Sequence, residues 1–63
     1  MRSGQEGMVG EIGEARSELV AGKAGKVFVH GELWNAISDT NIPKGSNVKI
    51  LNVAGMTLRV TKD

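Results

Sequence analysis

Apolar and polar residues alternate in this chain with a period of two over short stretches, which predicts strands. In "KVFVH" (26–30), Val27 and Val29 fall on one face and Lys26, Phe28 and His30 on the other. "ELWNAIS" (32–38) follows directly after Gly31, so these two runs read as a hairpin. "VKILNV" (48–53) and "MTLRVT" (56–61) flank Ala54-Gly55, which reads as a second tight turn. In the last run Met56, Leu58 and Val60 share a face. The run before it changes parity: Val48 and Ile50 are even, Leu51 and Val53 odd. A slip of one residue exchanges the faces of a strand, so a β-bulge is expected near Leu51-Asn52.

"GMVGEIGEA" (7–15) is a weaker first strand, with Gly10 and Gly13 marking bends. "GEARSELVAGK" (13–23) is too short and glycine-bounded for a helix and reads as a strand end and loop. "DTNIPKGSN" (39–47) is loop chemistry. The sum is five short strands and no long helix. Closure buries their interior best and removes exposed edges. The expected fold is therefore all-β, a small five-stranded barrel of the OB type, with an SH3-like barrel as the alternative.

Length sharpens the demands on that barrel. At 63 residues, without cysteine and with 40% hydrophobic residues, stability must come from one small core. Its expected members are Val27, Val29, Trp34, Ala36, Val48, Ile50, Leu58 and Val60. With 3% aromatic residues, the single Trp34 is the natural plug for one barrel end, its indole N–H reaching a partner or water. The other reading of Trp34 is an exposed anchor for a partner.

Candidate chemistry is sparse. One histidine with scattered acids and no cysteine makes no metal site, and neither metal nor cofactor is expected. Ser3, Ser17, Ser38 and Ser46 all fall at turns or ends, outside any nucleophile elbow, so no catalytic residue is assigned. "AGKAGKV" (21–27) fails as a phosphate loop: Val20 stands where its first glycine belongs and Val27 where Ser or Thr belongs. Eight Lys and Arg against seven Asp and Glu leave a net charge of +1, too balanced for the basic stripe of a nucleic-acid module. A single-strand-binding barrel stacking bases on Phe28 beside Lys26 is kept as the alternative function. No apolar run approaches the ~20 residues that cross a bilayer, so this stretch is expected to be soluble.

The ordered set of Gly7-Met8-Val9-Gly10 and Gly13, "GKVFVHGELWNAIS", Ile42-Pro43-Lys44-Gly45 and "VKILNVAGMTLRV" resembles the C-terminal soluble domain of the NfeD family. The segment "ELVAGKAGK" departs from the family, whose members often carry a proline-bearing loop there. The resemblance covers residues 7–62 and implies an OB-type barrel that follows membrane-spanning helices. In longer members it also implies an N-terminal serine-protease domain of the ClpP-like class, whose catalytic residues have no counterpart here. Residues 1–6 are then a flexible lead-in after an upstream membrane region. The implied partners are stomatin-like (SPFH) membrane proteins or another domain of the parent, and the implied role is membrane-protein quality control. On this reading the chain is a non-enzymatic interaction module. Phe28, His30 and Leu33 around the first hairpin form the expected contact surface, because these large groups fall on the outer face.

Overall fold

A computed structural model of the chain describes residues 8–63. The lead-in expected over residues 1–6 lies outside the described residues. Five strands follow in order: β1 (Ile12–Ala15), β2 (Gly25–Val29), β3 (Glu32–Ser38), β4 (Asn47–Ala54) and β5 (Thr57–Lys62). They close into a barrel in the order β1-β2-β3-β5-β4, with β4 returning to β1. All neighbours are antiparallel except β3 and β5, which run parallel. This is the OB-type arrangement, and the SH3-like alternative falls away.

The alternation read from the sequence sets the interior. Val27, Val29, Ala36, Val48, Ile50, Leu58 and Val60 are all buried. In β4 the register shifts between Ile50 and Asn52, so the expected bulge is present and Leu51 is left outside. Its effect is to bring Val53, odd in parity, against the core that Val48 and Ile50 occupy from even positions. Gly13 faces inward in β1, where a Cβ would come within 2.9 Å of Val27 Cγ1 and 3.0 Å of Phe28 O. The barrel is too narrow there for any side chain.

Four expectations are corrected. The first strand, expected over 7–15, is confined to Ile12–Ala15; Met8 lies in a short turn ahead of it and is itself buried. The second hairpin turns at Gly55-Met56, one residue later than expected, because β4 runs on through Ala54. Gly55 has a φ of 63° and Met56 is not among the positive-φ residues, the sign pattern of a type II′ turn. Met56 therefore leaves the inward row and stands 74% exposed.

The fourth correction concerns the plug. Trp34 packs against the core from the inward face of β3 but is only half-buried, and its Nε1 has no hydrogen-bond partner among the described residues. The opposite barrel end is sealed by Leu19 and Ile42, both fully buried and both from segments read as loops. Their backbones exchange two hydrogen bonds, Leu19 N–H to Ile42 O at 2.9 Å and the reverse at 2.7 Å. This bridge closes the end through which the β1–β2 and β3–β4 connections pass. Leu19 occupies the space a Cβ on Gly25 would take.

Candidate functional site

The residues singled out from the sequence lie where β2 and β3 fold back on each other. His30 and Gly31 form the two-residue turn, both with positive φ (54° and 77°). That is the sign pattern of a type I′ turn, whose twist matches that of the flanking strands. Turn length fixes the register: Val29 pairs with Glu32, Phe28 with Leu33 and Val27 with Trp34. Phe28 and Leu33 are thus direct cross-strand neighbours on the outer face, and the fold brings these two together.

Their surroundings differ. Phe28 is half-buried, and the Arg16 guanidinium lies 4.5 Å from its ring centroid, a cation–π contact that occupies one ring face. Arg16 is steadied by Glu14, 3.3 Å away. Leu33 carries no such cover and is 61% exposed. His30 turns from the pair, its Nε2 3.4 Å from Glu11 Oε1. Lys26, on the same outer face as Phe28, donates from Nζ to Asn35 Oδ1 at 2.5 Å.

Beside Leu33 a shallow cleft of ≈ 220 Å³ opens toward the second hairpin. Lys26, Glu32, Leu33, Trp34, Asn35 and Met56 line it. Sequence reading missed Met56, because extending the alternation of β5 back by one residue placed it inside. The signal that could have found it is Gly55 as first residue of a two-residue turn, which makes Met56 the second. Among the described residues no group of His, Cys, Asp or Glu could hold a metal ion, and no helix is long and apolar enough to cross a membrane.

The barrel matches known proteins. Residues 5–62 match the family described as the NfeD-like C-terminal, partner-binding domain. The chain belongs to this family. The C-terminal domain of stomatin operon partner protein 1510-C from Pyrococcus horikoshii has the same fold at a TM-score of 0.84 and 39% identity, covering 98% of this chain and 97% of that one. A second neighbour is the soluble domain of a Corynebacterium glutamicum membrane protein implicated in regulation of membrane protease activity. It matches at a TM-score of 0.83 and 26% identity, over 92% of this chain and 95% of that one. The chain is also 41% identical over 64 aligned positions to the membrane-bound protease PH1510 of Pyrococcus horikoshii. The match covers 98% of this chain but 14% of that protein's length. The NfeD-like resemblance and the barrel it implies are thus both established.

Proposed function

We propose that the chain is a non-catalytic interaction domain of a membrane-anchored NfeD-like protein, and that it engages a stomatin-type (SPFH) membrane protein in membrane-protein quality control. The observation that carries this reading is the family match across residues 5–62, whose description is of partner binding. The stomatin-operon relative supports the choice of partner. Phe28 and Leu33 on the outer face, with His30 at the turn, are the proposed contact surface. The relative PH1510 is named a membrane-bound protease and this chain spans 14% of its length; on the proposed reading the protease chemistry lies in its other segments.

The test is a two-dimensional amide NMR titration of the chain with the soluble part of a stomatin-like protein, and separately with a single-stranded oligonucleotide at low salt. Shifts centred on Phe28, His30 and Leu33 with the protein alone are expected. Salt-sensitive shifts with the oligonucleotide along Lys26, Phe28 and Lys49 would replace this reading with nucleic-acid binding.

A further inference from the structure

The barrel is closed, but β3, like β2 and β4, is paired on both sides over only part of its length. β3 pairs with β2 from Glu32 to Ala36, whereas β5 joins it only from Asn35 onward. Across Glu32–Trp34, therefore, no described strand lies on the β5 side. The chain that would have continued β5 backward turns away at Gly55-Met56 to meet β4. The cleft beside Leu33 is lined by Met56 of that turn together with Lys26, Glu32, Trp34 and Asn35.

Hydrogen-bond direction singles out one residue. In a two-residue hairpin the residues flanking the turn, here Val29 and Glu32, form the hydrogen-bonded pair. Bonding alternates along an antiparallel ladder, so the N–H and C=O of Leu33 point away from β2. They point to the β5 side, where no described strand lies opposite. Natural sheets commonly blunt such an edge with lysine, proline or a bulge. Here Leu33 and Met56, 61% and 74% exposed, line the cleft with Trp34, beside the charged Lys26 and Glu32.

We infer that this edge of β3 is a β-augmentation site, where an extended segment of a partner polypeptide adds as a short further strand. The inference rests on the partner-binding reading and names the form in which the partner is captured. A polypeptide backbone matches the Leu33 N–H and C=O with its own C=O and N–H, while alternate side chains pack on Leu33 and Met56 and over Trp34. The unpaired stretch spans three residues, roughly 10 Å at about 3.3 Å per residue. A second folded copy is disfavoured by that size. Two such edges paired about a two-fold axis would engage only a few residues per side, against the roughly 20–30 of a stable interface. An unfolded segment has no competing surface to bring along and fits the short opening.

The test pans a random twelve-residue phage-displayed peptide library on the immobilised 63-residue chain and re-measures the recovered peptides in solution. Two altered chains accompany it: a synthetic chain N-methylated at the Leu33 amide, and Met56→Asp, whose exposed turn site leaves the barrel intact. Extended peptides with alternating apolar residues are expected, with cross-strand proton contacts to Leu33 and slowed exchange of its amide. Loss of the Leu33 hydrogen bond is expected to weaken binding about tenfold, and Met56→Asp to weaken it as well. Peptides that bind both altered chains as well as the parent would overturn the proposal. So would an empty selection, or concentration-dependent self-association that buries Leu33. The soluble part of a stomatin-like protein is run against the same chains. Undiminished binding there would sink the edge and leave the stomatin reading intact. Peptide capture without stomatin binding would do the reverse.

Discussion

Val27 and Trp34 face each other across the β2–β3 ladder, yet Val27 is sealed inside the barrel and Trp34 is not. Their other flanks explain the difference. Val27 has Ala15 of β1 on its far side, whereas β5 begins one residue beyond Trp34, opposite Asn35. The indole thus covers the rim of the core at the hairpin end and leaves part of its surface to solvent.

This geometry sets the cost of removing the ring. Trp34→Ala is expected to destabilise the domain by about 2 kcal/mol, below the roughly 3–5 kcal/mol typical of a fully buried aromatic. Trp34→Phe should cost less than about 1 kcal/mol, because it also removes a buried N–H without a partner among the described residues. Leu58→Ala, at a fully buried position, should exceed both at about 3 kcal/mol. Urea unfolding of the three variants checks the order; a Trp34→Ala loss larger than that of Leu58→Ala would contradict it.

Gly13 is a steric requirement of the barrel wall. A methyl group there would press on Val27 Cγ1 and, at 3.1 Å, on Val29 Cβ, while the Phe28 carbonyl is backbone and cannot swing aside. Gly13→Ala should therefore cost about 2 kcal/mol, as overpacking commonly does. Denaturant midpoints at unchanged slope would show it.

His30 holds a left-handed backbone with φ of 54°. Asparagine tolerates that conformation and β-branched residues do not. His30→Asn should leave stability within about 0.5 kcal/mol, and His30→Val should cost more than about 1 kcal/mol. Thermal unfolding of the pair separates the backbone effect from loss of the imidazole, which both variants share.

Leu33→Glu tests function without threatening the fold. At an exposed site it should change stability by less than about 0.5 kcal/mol, while a carboxylate on the outer row should abolish partner binding. Titration calorimetry with the soluble part of a stomatin-like protein reads the binding, and a circular dichroism melt reads the fold. Undiminished binding would remove Leu33 from the contact surface.

The sequence by itself determined what rests on local periodicity and turn chemistry. Alternation in 26–30 and 32–38 placed Val27, Val29 and Ala36 inside, and the parity change after Ile50 located the bulge of β4. The order of glycines and the Gly31-Glu32-Leu33-Trp34 run pointed to the NfeD family. Phe28 and Leu33 were legible as outer-face residues around the first hairpin, but their direct pairing follows from the His30-Gly31 turn that the structure sets. Pairing between distant segments was decided only by tertiary structure. Nothing local marks Leu19 and Ile42 as partners, since each lies in a connection between strands and is buried only because two connections meet over the barrel end. Nor does alternation reveal where β5 begins along β3. That offset is a property of barrel closure, and it decides that Trp34 is half-covered, that Met56 is exposed, and that no described strand lies opposite the Leu33 backbone on the β5 side.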